Sequence, residues 1–154
     1  MREPLRGPVV LTRKHLVPIV LHYAQMTPEE RYQRFNGKMP LRALLQRYSS
    51  INWAEIEFLA FMSGSKIVGL IELCDIPGEG EREAAISVLK DWQRQGLGEA
   101  LVRAARERVC SDEHKSLIFY TQMTNVDMIR LAHKSGAKSA MAHSEMQLVI
   151  PAAA

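Results

Sequence analysis

The stretch Leu89-Lys90-Asp91-Trp92-Gln93-Arg94-Gln95-Gly96-Leu97-Gly98-Glu99-Ala100-Leu101 begins where an alternating apolar run stops and ends inside an amphipathic pattern. Gly96 and Gly98 leave the backbone bare between the two, so several consecutive N–H groups can point into one concavity where a helix starts. Free N–H groups and the positive end of a helix dipole suit a phosphate or pyrophosphate. Arg94 and Lys90 add full positive charges. By composition alone the same residues also make a plain strand-to-helix connection. The wording is not G-x-x-x-x-G-K-[ST], which excludes a P-loop, and it has only two of the glycines of G-x-G-x-x-G, which leaves a dinucleotide fingerprint unsupported.

The order Gln93-Arg94-Gln95-Gly96-Leu97-Gly98 resembles the Q/R-x-x-G-x-G/A signature of the GNAT N-acetyltransferases. The resemblance implies that Gln93, Arg94, Gln95, Gly96, Leu97, Gly98 and Glu99 hold the pyrophosphate of acetyl-CoA as co-substrate. It also implies that the backbone of Val88, Leu89 and Lys90 binds the pantetheine arm where two neighbouring strands part. The segment Asn125-Val126-Asp127-Met128-Ile129-Arg130-Leu131-Ala132-His133-Lys134-Ser135-Gly136-Ala137 is similar to the family's N-x-x-A-x-x-L-Y-x-x-x-G-F. Asn125 would then face the cofactor arm, and it is equally a good helix cap. The family's frequent tyrosine, the acid for the leaving thiolate, falls at Ala132. Met128, Leu131 and Ala132 instead resemble the protein-lysine acetyltransferase branch.

Two further stretches resemble that branch, Glu83-Ala84-Ala85-Ile86-Ser87-Val88-Leu89-Lys90-Asp91-Trp92-Gln93 and Thr27-Pro28-Glu29-Glu30-Arg31-Tyr32-Gln33-Arg34-Phe35. Glu83 matches the glutamate assigned as general base there. An ammonium has no lone pair, so a lysine with a pKa of about 10.4 must lose a proton before it attacks a thioester. Glu83 lies in a charged cluster with Glu79, Glu81 and Arg82, and Glu72 on the neighbouring strand is the alternative base. The activity implied is direct acetyl transfer to a primary amine, either a protein lysine or a small molecule. A domain that keeps the acyl-CoA cleft without chemistry is the other reading that Ala132 allows.

These residues must be carried by elements that the apolar periodicity outlines. After a polar lead over residues 1–8, the pattern predicts a strand at Val9–Leu11, a helix from about Thr12 to Met26 in which Pro18 lies in the first turn or marks a kink, and a helix from Thr27 to Phe35 opened by a capping box. Leu41, Leu44, Leu45 and Tyr48 recur at helical spacing to about Ser50. Alternation then gives strands at Ile56–Met62 and Ile67–Cys74, an exposed loop over Asp75–Arg82 and a strand over Glu83–Leu89. A helix with Leu97, Leu101, Ala104, Ala105 and Val109 inward follows, ending at Ser111-Asp112-Glu113-His114. Lys115–Gln122 reads as a strand, Asn125–Ser135 as a helix stopped by Gly136, and Ala142–Ile150 as the last strand. This is an α+β order with one mixed, mostly antiparallel sheet flanked by helices, the order that the resemblance implies for a GNAT domain over residues 9–150.

The chain has 154 residues, 47% of them apolar, which suffices for one core and not for two ordinary domains. The net charge of +3 is spread among 17 acidic residues rather than gathered in a tract, so nucleic acid is not required as a partner. Trp53 and Trp92 are expected as packing anchors rather than base-stacking platforms. His15, His22, His114, His133 and His143 show no metal spacing and no G-x-S-x-G is present, so no metal is expected. Cys74 and Cys110 are expected as reduced thiols. Without an apolar run of membrane length or a signal-peptide pattern, no membrane partner is expected and the cytoplasm is the expected compartment. Oligomeric state is left open, a homodimer included.

Overall fold

The computed structural model of the chain describes residues 2–78, 80–111 and 116–152. The expected helix stop at Asp112 to His114, the strand start at Lys115 and the Glu79 member of the charged cluster lie outside the described residues. A seven-stranded sheet runs through the molecule in the order β1-β2-β3-β4-β5-β7-β6. Its strands are β1 (Leu5–Val10), β2 (Ile56–Ser63), β3 (Lys66–Ile76), β4 (Glu81–Val88), β5 (Ser116–Thr121), β6 (Lys138–Ala142) and β7 (Glu145–Pro151). The helices are α1 (Leu16–Ala24), α2 (Pro28–Phe35), α3 (Leu41–Ser49), α4 (Leu97–Ser111) and α5 (Val126–Lys134). All neighbouring strands are antiparallel except β4 and β5, which α4 joins as a crossover unit.

β3 lies at the centre of the core. Its residues Ile67 to Leu73 are all buried, because α1 and α3 cover one face of the sheet and α4 covers the other. Cross-strand register assigns the faces: Leu70, Glu72 and Cys74 of β3 stand beside Ser87, Ala85 and Glu83 of β4 on the α1/α3 face. Arg82 and Val88 belong to the α4 face. There Arg82 and Arg108 of α4 both reach Glu57, at 3.8 and 2.5 Å, and Val88 and Leu101 of α4 pack against Gly69.

Most of the predicted elements are present, and α2 begins as its sequence dictates. The Thr27 side chain accepts from the Glu30 N–H at 3.1 Å, and the Glu30 carboxylate accepts from the Thr27 N–H at 3.0 Å. Pro18 occupies the first turn of α1, where its missing N–H costs nothing. Three expectations need correction. The lead over residues 1–8 contains most of β1: the strand starts at Leu5, and Pro8 is accommodated at an irregularity between Arg6 and Val9 on an edge strand, where no inner ladder bond is lost. The exposed loop expected over Asp75–Arg82 is shorter: β3 continues to Ile76 and β4 starts at Glu81, which leaves the turn to Pro77, Gly78 and Gly80, and buried Arg82, its Nε 2.7 Å from Asp75, pairs across the two strands. The last strand is a hairpin, β6 then β7, turned at His143 with φ 61°. β6 has no buried face, and a strand without one shows no apolar period to read.

Candidate active site

Pairing between β4 and β5 is confined to Glu81–Glu83 against Ser116–Ile118. Beyond Glu83 the strands part, and the freed edge of β4 becomes the wall of a cleft of about 480 Å³. Ile86, Ser87 and Val88 form that wall, α2 contributes Glu30, Gln33 and Arg34, and the turn into α4 contributes Gln93, Arg94, Gly96, Leu97, Gly98 and Glu99. Asn125 and the α5 residues Asp127, Met128, Arg130, Leu131 and Lys134 close the far side.

The turn takes its shape from backbone groups. The Gln93 side-chain amide donates to the Val88 carbonyl at 2.9 Å, which ties the loop to the end of β4, and Gln95 donates to the Asp91 carbonyl at 3.3 Å, which closes the loop on its own 3-10 turn. Arg94 and Gly96 have positive φ, 58° and 83°. At Gly96 a Cβ would meet no atom within 4 Å, so conformation rather than crowding calls for glycine there. Gly98 serves differently: a Cβ there would sit 3.2 Å from Leu131 Cδ2, so this glycine lets α4 and α5 approach. The first intrahelical bond of α4 runs from the Ala100 N–H to the Gly96 carbonyl at 3.1 Å, which leaves the preceding N–H groups of the first turn without helical partners.

Charge gathers at the same mouth. Arg94 and Arg130 lie 3.8 and 3.9 Å from Asp127, and Lys134 lies 2.5 Å from Glu99. All of these except Glu99 are more than two-thirds exposed, so the pairs contribute little to stability and the cations can turn to an incoming polyanion. Bare helix N–H groups, a glycine cradle with open space and a movable cationic rim fit a pyrophosphate.

Of the sequence-predicted binding residues, the cleft brings together Val88, Gln93, Arg94, Gly96, Leu97, Gly98, Glu99 and Asn125. Leu89 is buried and donates its N–H to the Val68 carbonyl at 2.9 Å, Lys90 is exposed in a short 3-10 turn, and Gln95 is exposed and outside the lining. Asn125 caps α5, its Oδ1 accepting from the Met128 N–H at 3.3 Å, while also facing the cleft. Ala132 is fully buried on the inner face of α5. Trp53 packs on Phe58 as a core anchor, and Trp92 lines the cleft with the Arg2 guanidinium 4.7 Å above its ring.

The two candidate bases differ sharply in surroundings. Glu83 is exposed at the last register position before the strands part, on the same face as Ser87 and outside the cleft lining. Glu72 is buried, ion-paired with Arg34, and accepts from the Tyr23 hydroxyl at 2.9 Å and the Tyr48 hydroxyl at 3.1 Å. All three donors converge on Oε2, and the buried charge paired with Arg34 holds the carboxylate ionised and in place rather than free to reach a substrate. Its consequence is architectural: Tyr23, Arg34 and Tyr48 belong to α1, α2 and α3, so Glu72 ties all three helices to the sheet and fixes the α2 wall.

Sequence reasoning missed His22 and Ser87. His22 Nδ1 lies 2.9 Å from the Ile67 carbonyl oxygen and Nε2 lies 2.7 Å from Ser87 Oγ. Burial holds the imidazole well below its ordinary value, at about 4, with the Arg34 and Lys66 charges adding to the effect and the Ile67 bond opposing it. The available signals were a histidine within the apolar stripe of α1 and a serine in β4, too common to single out. Among the described residues no three His, Cys, Asp or Glu side chains gather as a metal site, and no helix is long and apolar enough to cross a membrane.

No curated protein matches the chain by sequence. Among solved structures, the GNAT domain of S. lividans PAT superposes with a TM-score of 0.80 at 18% identity, over 96% of this chain and 89% of that one. Spermidine N-acetyltransferase from Vibrio cholerae, in complex with CoA and spermine, gives 0.73 at 16% identity over 96% and 94%. The ribosomal-protein-S18-alanine N-acetyltransferase from Escherichia coli gives 0.71 at 15% over 100% and 96%. At these identities the likeness is one of fold. The family model for the acetyltransferase (GNAT) family matches residues 22–137, most of the chain and the whole of the cleft. With the parted strands and the glycine turn at their foot, that match settles the assignment: this chain is a member of the GNAT acetyltransferase family.

Proposed function

We propose that the chain is an acetyl-CoA-dependent N-acetyltransferase that delivers the acetyl group to a primary amine in a ternary complex. The observation that carries this is the continuity of the cleft, from the freed β4 edge at Ile86–Val88 to the bare N-terminus of α4 and the Arg94, Arg130 and Lys134 rim. That edge, freed from β5, offers peptide groups to an amide-bearing arm, the Val88 carbonyl being shared with the Gln93 side chain, and the rim offers charge to its phosphates. The thioester supplies an activated acyl carbon, so the protein's tasks are positioning and proton management.

Glu83 serves as the base for the first of two protons. Its exposed carboxylate stands on the α1/α3 face of β4, four residues before Ser87, where an incoming ammonium can lose its proton directly or through water. Glu72 is a poor alternative because it is buried and its Oε2 is already engaged by Arg34, Tyr23 and Tyr48. A protein lysine is the acceptor favoured by the two sequence stretches that resemble the protein-lysine branch, and the S. lividans PAT domain has the same fold at the highest TM-score given above. A polyamine is the second acceptor class, because the spermine-bound V. cholerae structure has the fold too. A binding module without turnover is favoured by one observation, the buried Ala132 where a tyrosine would donate a proton.

Calorimetric titration with acetyl-CoA, followed by thiol release over a panel of lysine peptides and polyamines, tests the proposal. Binding with amine-dependent thiol release is the expected result. Binding with no release for any amine would favour the module.

A further inference from the structure

We propose that Ser87 is a catalytic residue of this cleft and that His22, acting through it, carries the second proton of the reaction from the amine nitrogen to the leaving sulfur. The inference rests on the transfer function proposed above and concerns two residues to which nothing else assigns a role.

The geometry defines both hydrogens. A carbonyl oxygen only accepts, so at 2.9 Å from the Ile67 carbonyl His22 Nδ1 must carry the ring hydrogen. In the neutral ring Nε2 is then bare, and Ser87 Oγ donates to it at 2.7 Å. With its hydrogen turned inward to His22, the Ser87 hydroxyl has only lone pairs to offer the cleft, which it lines between Ile86 and Val88. An oxygen presented that way accepts an N–H and so suits an amine nucleophile. The pair is a hydroxyl, an imidazole and an orienting acceptor in series, the arrangement by which a buried base works through an exposed group.

Acetyl transfer from a thioester to an ammonium releases two protons in sequence. The first leaves the free ammonium before attack. The second remains on nitrogen once the N–C bond has formed. As that N–H bond breaks, Ser87 Oγ takes the proton and passes its own to His22 Nε2. When the C–S bond then breaks, its electron pair leaves with sulfur, and the proton returns from Nε2 through Oγ to give the thiol. Ser87 and His22 end as they began, the nitrogen is acylated and the sulfur protonated. The buried ring holds a proton weakly, so uptake by Nε2 is the costlier step, the proton rests there only in passing, and its return to sulfur is the easier step. Ala132 leaves no hydroxyl on that turn of α5 to make the donation instead.

Thiol release and calorimetry on the parent, Ser87→Ala, Ser87→Thr, His22→Gln and the Ser87→Ala/His22→Gln double variant test the proposal, with circular dichroism melts as the check on folding. Ser87→Ala should keep acetyl-CoA affinity within about twofold and lose about 10²-fold or more in kcat. Ser87→Thr, which restores a hydroxyl, should regain most of it. The double variant should be no worse than Ser87→Ala alone, since two members of one relay do not add. An active parent with an unaffected Ser87→Ala overturns this proposal and leaves the transfer function standing. A loss in Ser87→Ala matched by an equal loss of acetyl-CoA affinity, or one that adds fully to that of His22→Gln, assigns the pair to structure and overturns it too. A parent that releases no thiol with any amine overturns the transfer function and this proposal with it.

Discussion

Lowering the pH should destabilise the fold through His22, and the size of the effect follows from its surroundings. The imidazole is fully buried, and its pKa is about 4 against an ordinary 6.5 in the unfolded chain. Between those values the unfolded state binds a proton that the folded state does not, so stability is fully present above about pH 6.5 and falls as pH drops toward 4. The difference of about 2.5 pKa units, at about 1.36 kcal/mol each, sets a ceiling of about 3 kcal/mol, of which about 2.5 kcal/mol is lost by pH 4.5. That is a large share of the 5–15 kcal/mol typical of a domain. Urea unfolding followed by tryptophan fluorescence, at about pH 7 and about pH 4.5, measures it for the parent and for His22→Gln. Carboxylates that titrate in this window contribute to both proteins and cancel in the comparison. The parent should lose about 2.5 kcal/mol more than the variant on acidification. If the two lose stability in parallel, His22 is not a buried neutral imidazole and the hydrogen-bond assignment at Ile67 and Ser87 fails with it.

Replacing Glu83 with Gln should leave acetyl-CoA affinity nearly intact and lower turnover by about 10²-fold. The residual rate should climb as pH rises toward the amine pKa, and a variant with parental turnover at neutral pH would show that the first proton leaves by another route. Glu72→Gln should act on stability, because it removes the charge that faces Arg34 in a buried site. A loss of about 3–5 kcal/mol in urea unfolding is expected, and unchanged stability would contradict the three-helix tie. Gly98→Ala should leave stability within about 1 kcal/mol of the parent, because the helix propensity gained in α4 offsets the shift forced on the flexible Leu131 side chain 3.2 Å away; a loss above about 2 kcal/mol in urea unfolding would show that Leu131 cannot move.

The parts of this protein legible in its sequence are those whose signals lie within a few residues. The Thr27–Glu30 capping box, Pro18 in the first turn of α1, Gly136 with φ 89° after α5 and the glycine turn into α4 each depend on local backbone demands, and each takes its predicted place. Where local composition misled, the pairing of strands explains it. Pro77, Gly78 and Gly80 marked the turn, but the extension of both strands to Asp75 and Arg82 rests on their cross-strand pairing, and β6 was missed because an edge strand with no buried face has no period. The site itself divides along the same line. Both the glycine turn at one end of the cleft and Glu83 could be singled out as candidates from sequence, since glycine spacing and motif order are local. That β4 and β5 part just beyond Glu83, that Glu72 is engaged by helices α1 to α3, and that His22 meets Ser87 from 65 positions away were decided only by the register of the sheet and the seating of α1 upon it. Such contacts depend on packing between elements remote in the chain, which no short run of residues encodes.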